Sequence, residues 1–172
     1  MADTLVQNGV AHTLFLLQIL LLLGLANGAP ILAAKFMGET LAYPVDGGCR
    51  FGDGRRLFGP AKTVRGLVAG TAAAAGAAPL LGLDVLTGAL LGIGSLCGDL
   101  VSSFIKRRLG LPPHGRALGL DYIPEALLPL ALLRPALGLS WIDVGLLVVA
   151  FAIVDFTLSR LLFRIRLRDR PY

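Results

Sequence analysis

The stretch VLTGALLGIGSLCGDLVSSFI, Val85 to Ile105, decides how the rest of the chain is read. It is long enough to cross a bilayer, which takes about 20 apolar residues, and it holds one charged side chain, Asp99. Ser95, Asp99, Ser103 and Lys106 follow at helical spacing and predict one polar face on an otherwise apolar helix. Asp99 lies about 10 Å along the axis from Lys106, at ~1.5 Å per residue, so it is placed within the membrane near one end. A charged residue at mid-helix costs ~2.5 to 3.5 kcal/mol of insertion free energy. Compensation comes from a salt bridge to a neighbouring Lys or Arg, or from a divalent cation or proton site. Asp155, in a later apolar segment, raises the same question and is read as salt-bridged.

Working outward, further apolar runs predict helices at about Leu14 to Ala34, Gly66 to Leu83, Tyr122 to Leu137 and Ile142 to Phe163. The expected fold is all-α: a polytopic membrane protein of about five transmembrane helices, forming a single domain over residues 1–172. Composition agrees, with 55% hydrophobic and 16% charged residues and a mean hydropathy of +0.75, against about 25% charged in a soluble domain. Met1 to Val10 has no Lys or Arg, unlike the basic start of a cleaved signal peptide, so the first segment is expected to remain as a span.

The net charge of +5 is not a nucleic-acid signature here, because the cations gather beside apolar segments. One loop holds Lys35, Arg50, Arg55, Arg56, Lys62 and Arg65; a second holds Lys106, Arg107, Arg108 and Arg116; the tail holds Arg164, Arg166, Arg168 and Arg170. The turns near Asp84 and from Gly138 to Asp143 hold none. That alternation predicts an outside N-terminus and a cytoplasmic C-terminus, with the chemically able residues on the cytoplasmic face of the cell membrane. Arg134 falls on the other side and is read as snorkelling.

The first long loop mixes glycines and cations with Asp46, Asp53 and Thr63, so it fits a polyphosphate-holding loop as well as a plain topology-setting one. Lys62-Thr63 is not a Walker motif, since Pro60-Ala61 precedes it and no βαβ unit is expected. In the first helix, Asn27-Gly28-Ala29-Pro30 predicts a kink or a ligand contact. Gly88, Gly92, Gly94 and Gly98, with Gly66, Gly70 and Gly76 near the Ala72 to Ala78 run, predict close helix contacts and leave room for a homodimer. Cys49 and Cys97 are read as structural thiols, and His12 and His114 as isolated.

Taken in order, the motifs Asn27-Gly28-Ala29-Pro30, Asp53-Gly54-Arg55-Arg56, Lys62-Thr63-Val64-Arg65-Gly66, Gly98-Asp99-Leu100, Ser103-Phe104-Ile105-Lys106-Arg107-Arg108 and Asp121 resemble the CDP-archaeol synthase family. These membrane cytidylyltransferases are relatives of CDP-diacylglycerol synthase. The resemblance implies a five-helix enzyme that transfers CMP from CTP to a membrane lipid phosphate and releases pyrophosphate, with Mg²⁺. It implies Asp99 and Asp121 as metal ligands, with Lys106 and Lys62 beside them in the catalytic set. Arg65, Arg107 and Arg108 would then bind phosphate, with Asp53, Arg55 and Arg56 also at the substrate and Asn27, Thr63 and Ser103 as hydrogen-bonding neighbours. One departure stands out: Leu118-Gly119-Leu120-Asp121 has a single acid where the family's motif offers two, three residues apart. Glu125, Asp46 or Asp53 supplies the missing ligand, or metal is bound differently. Outside this enzyme class, a small transporter or assembly protein would use Asp99 as a coupling or structural charge.

Overall fold

The computed structural model describes residues 2–111, 117 and 119–164. His114, Arg116, Leu118, Arg166, Arg168 and Arg170, singled out above, lie outside the described residues. The described residues form five α-helices: α1 Ala2–Met37, α2 Val64–Ala77, α3 Val85–Arg108, α4 Ile123–Leu137 and α5 Trp141–Arg164, with a 3-10 turn Pro79–Leu81 after α2. Four segments are long and apolar enough to cross a membrane: Gln7–Met37, Val64–Leu81, Val85–Arg108 and Trp141–Leu161. The fold is the expected all-helical, multi-pass one, although α4, expected as a fifth span, has 15 residues and is not among these four.

Helix α1 begins well before Leu14 and spans 36 residues, about 54 Å at ~1.5 Å per residue, against a hydrocarbon core of about 30 Å. Hydropathy marks where a helix enters lipid; backbone hydrogen bonding marks where it ends, and nothing in Ala2 to Thr13 breaks it. Nor does Pro30 end the helix. Pro30 has no N–H for the carbonyl of Ala26, four residues back, and the bare Cα of Gly70 on α2 packs against that Ala26 carbonyl.

Small residues set the other crossings too, as expected where lipid offers no hydrophobic drive between helices. A Cβ on Gly88 would lie 2.5 Å from the Ala74 carbonyl oxygen, and one on Gly94 would lie 2.8 Å from the Pro129 Cβ. One on Gly98 would strike the Pro124 carbonyl outright. Thus α3 is the central helix, touching α2 through Gly88 and Gly92 and α4 through Gly94 and Gly98. These glycines are used within the chain, whereas Gly76 has nothing near it. Ile19, Leu22, Leu23, Leu91, Leu130, Val144 and Phe151 fill the remaining core.

His12 is not isolated as expected. Its Nε2 lies 2.9 Å from Asp143 Oδ1, while the other Asp143 oxygen accepts from the Ser140 hydroxyl (2.7 Å) and amide (2.9 Å). One hundred and thirty-one residues separate His12 from Asp143, so no local pattern announces the contact. It places the first part of α1 and the α4–α5 turn at one end of the bundle. There Arg134 donates to the Leu139 carbonyl at 3.2 Å and stacks on Trp141. Asp84, the N-cap of α3, belongs to the same end by chain direction. The basic loop, the end of α3 and the start of α4 gather at the opposite end.

Because Gly88 meets backbone and Gly76 meets nothing, two alanine substitutions of equal size should behave oppositely. Gly88→Ala should lose ~1 to 3 kcal/mol by overpacking. Gly76→Ala should be neutral or gain ~0.5 to 1 kcal/mol from the removed glycine entropy. Thermal unfolding in detergent micelles reads both, and equal melting temperatures would refute this packing.

Candidate active site at the basic end of the bundle

The polar face of α3 forms as its spacing predicts, and Ser95, Asp99 and Lys106 each find a partner from another part of the chain. Near the middle, Asn27 Nδ2 of α1 donates to Ser95 Oγ at 2.7 Å, and also to the Leu23 carbonyl one turn back in its own helix. One turn on from Ser95, Asp99 accepts from Lys62 Nζ on both oxygens, at 2.7 and 2.5 Å. At the end of the helix, Lys106 Nζ donates to Asp121 Oδ1 at 2.7 Å, and the second Asp121 oxygen accepts from the Ala117 amide. Ser103 is buried on this face, and Ser102 bonds back to the Asp99 carbonyl. The cation compensating Asp99 therefore comes from the loop and not from a neighbouring helix.

Lys62 reaches Asp99 because the loop between α1 and α2 folds back on itself. Its limbs pair at Val45 N to Lys62 O (2.8 Å) and Val64 N to Tyr43 O (2.9 Å), then again at Phe51 N to Arg55 O (2.8 Å) and Leu57 N to Cys49 O (3.1 Å). Gly54, with φ 76°, makes the tight return. Inside the loop, Asp46 is 5% exposed and binds the Arg56 guanidinium and the amides of Gly48, Phe58 and Gly59. Burial opposes its charge, but Arg56 and the three amides outweigh that and hold the carboxyl well below the usual carboxylate range. Thr63 closes the loop as the N-cap of α2, accepting from the Gly66 amide at 3.2 Å.

The arginines divide by what they touch. Arg55 Nη1 donates to the carbonyls of Arg107 and Arg108, capping α3, while Arg108 Nη2 answers with bonds to the carbonyls of Arg55 and Arg56. Arg108 also pairs with Asp53 at 3.1 Å and lies against the rings of Phe51 and Phe104. Arg65 donates to the carbonyls of Gly38 and Thr40. Arg107 is buried beneath Gly59. Satisfying carbonyls at a helix end is a task the charge pattern does not distinguish from binding phosphate.

The predicted residues thus come together in two tiers. Asn27, Lys62, Asp99, Ser103, Lys106 and Asp121 line the inner tier along α3; Asp53, Arg55, Arg56, Thr63, Arg65 and Arg108 fasten the loop that covers it. Sequence reasoning gave Asp46, Phe51 and Phe104 no structural role, although an acid within a glycine-rich turn is a signal for amide binding. It did raise Glu125. This side chain is buried in the first turn of α4, where it meets the Asp99 carboxyl. Asp155 on α5 lies within electrostatic reach of Glu125 and accepts from Ser159 at 3.4 Å.

Among the described residues no three His, Cys, Asp or Glu side chains form a metal-holding group. Hard carboxylate oxygens on Asp99 and Asp121, with cations alongside, suit an ion such as Mg²⁺, which takes one or two carboxylates and completes its shell with phosphate oxygens and water.

An apolar helical bundle with carboxylates and lysines gathered at one end defines a multi-pass membrane protein. Comparison with known proteins gives the class its members. Residues 78–172 match a family model described as CarS-like CDP-archaeol synthase. The CDP-archaeol synthase of Thermococcus onnurineus is 33% identical, with 86% of this chain and 89% of that one aligned. That of Pyrobaculum islandicum is 34% identical over 86% and 91%. A solved structure of an intramembrane enzyme for archaeal membrane lipids biosynthesis superposes with a TM-score of 0.71 at 31% identity, covering 83% of this chain and 90% of that one. The chain belongs to the CDP-archaeol synthase family.

Asp46→Asn should leave Arg56 without its counter-charge and cost ~3 kcal/mol, the lower range for breaking a buried pair. Trypsin should then cut faster after Arg50, Arg55 and Arg56. The wild-type loop should keep its protection at any pH above about 4, the ordinary carboxylate value, and lose it as pH falls further toward the lowered folded value. Unchanged cleavage in the variant would contradict the role given to Asp46.

Proposed function

We propose that this chain transfers CMP from CTP to a membrane lipid phosphate of the archaetidic or phosphatidic acid type, with Mg²⁺, at the cytoplasmic face of the cell membrane. The observation that carries the proposal is the pair of carboxylate–lysine contacts, Asp99 with Lys62 and Asp121 with Lys106, held at the basic end of the bundle. The family's relatives, named as CDP-archaeol synthases, support the same reading.

In this reaction an oxygen of the lipid phosphate attacks the α-phosphorus of CTP, the bond from that phosphorus to the oxygen bridging the β-phosphate breaks, and pyrophosphate leaves. The nucleophile arrives with the substrate, so the protein forms no covalent bond. Its task is to align two anions and offset their repulsion. Mg²⁺, held by Asp99 and Asp121, would supply charge neutralisation at the triphosphate. With those carboxylates engaged, the ammonium groups of Lys62 and Lys106 would turn to phosphate oxygens, and Arg107, beneath Gly59 of the loop, would add a cation. Asn27 and Ser95 offer hydrogen-bonding groups deeper in the bundle. Arg55, Arg56, Arg65 and Arg108 serve the substrate by keeping the loop, and so Lys62, in place.

Purified protein given labelled CTP, Mg²⁺ and archaetidic or phosphatidic acid should form a CDP-lipid. Asp99→Asn should abolish turnover while leaving the protein folded. No CDP-lipid from either acceptor would sink the proposal, and full activity in the variant would remove Asp99 from the site. For sidedness, Cys49 is exposed in the basic loop. In a Cys97→Ala background an impermeant maleimide should label inverted membrane vesicles and spare intact cells; the reverse pattern would place the active face outside.

A further inference from the structure

Glu125 is the one acid of α4 and has no use in the mechanism above. It is 9% exposed, inside a helix that otherwise buries Ala126, Pro129 and Leu130, where an apolar side chain would pack at no electrostatic cost. Its position follows from the tightest helix crossing in the molecule. A Cβ on Gly98 would strike the Pro124 carbonyl and lie 2.8 Å from the Glu125 Cα, so the backbones of α3 and α4 touch there. Asp99 and Glu125, the residues just beyond that contact, are brought side by side.

Two neighbouring carboxyl groups need positive charge beside them, from a cationic side chain or a metal ion. Lys62 bonds both Asp99 oxygens and lies within electrostatic reach of Glu125, as does a third acid, Asp155. The other two acids that might complete the metal site are already engaged. Asp46 is occupied by Arg56 and three amides. Asp53 is held by Arg108 and the Arg55 amide.

We propose that Glu125, paired with Asp99 across the Gly98 crossing, joins Asp99 in holding the metal, in the role of the acid that the family's motif has and this chain, with Leu118, does not. The assignment rests on the cytidylyltransferase reading. A divalent ion exchanged for the shared charge would bind between helices α3 and α4. The close crossing then has a function: it fixes the two ligands on rigid elements.

The test is titration of detergent-purified protein with Mn²⁺, followed by electron paramagnetic resonance, with CTP present and no lipid acceptor. The Mg²⁺ dependence of CDP-lipid formation is measured beside it, and melting curves confirm folding. Glu125→Gln should weaken Mn²⁺ binding by at least about tenfold and move the Mg²⁺ requirement upward. Wild-type Mn²⁺ affinity and Mg²⁺ requirement in this variant would overturn the assignment, as would wild-type protein that binds no Mn²⁺. If the Gln variant does not fold, Glu125→Asp, which draws the acid back by one methylene, carries the test. Weaker Mn²⁺ binding is expected, and wild-type affinity would overturn it. Failure of the cytidylyltransferase reading shows separately, as wild-type protein that makes no CDP-lipid.

Discussion

A carboxylate within an apolar bundle must find a counter-charge, and Asp99 finds it in Lys62. Most of the architecture at the basic end can be traced to that contact. Lys62 is not on a helix, so for its ammonium group to stay at Asp99 the loop carrying it must be folded and fastened. The folding is done by limb pairing around Lys62 and by Asp46, whose buried carboxylate collects Arg56 and three amides. The fastening is done by Arg55 and Arg108, each bonded to the other's stretch of backbone. Loss of any of these would be felt first as a less certain position of one lysine.

The same contact explains the uneven work of the basic residues. In a membrane protein, Lys and Arg beside apolar segments set orientation, and that requirement is met by charge alone. Here the guanidinium groups do more specific things. They cap the end of α3, tie down the carbonyls after α1 and lie against the rings of Phe51 and Phe104. Arg suits this role because its planar fork reaches two acceptors at once. The lysines, compact point charges on flexible stems, are set against Asp99 and Asp121, where their charge can be handed to another anion.

Close packing and chemistry also coincide on α3. Gly98 precedes Asp99, and the glycine that lets α4 approach is what places Glu125 against the acid. Ser95, one turn earlier, receives Asn27 from α1, beside the Ala26 carbonyl that Pro30 cannot serve and that Gly70 packs against. A helix crowded with small residues is therefore both the axis of the bundle and the wall of its site.

By itself the sequence determined the membrane class, the approximate helices, the one-sided clustering of charge and the polar face Ser95–Asp99–Ser103–Lys106. All of these follow from composition or from the 3.6-residue period, which are local properties. It also named the inner residues of the site through the ordered motifs. Only the tertiary structure decided the pairings: Lys62 with Asp99, Lys106 with Asp121, His12 with Asp143, and Glu125 with Asp99 over the acids of the loop. The physical reason is that a charge pattern records how many counter-charges are needed and on which side. Which partner supplies each one depends on backbone approach between elements distant in the chain, and that is set by packing.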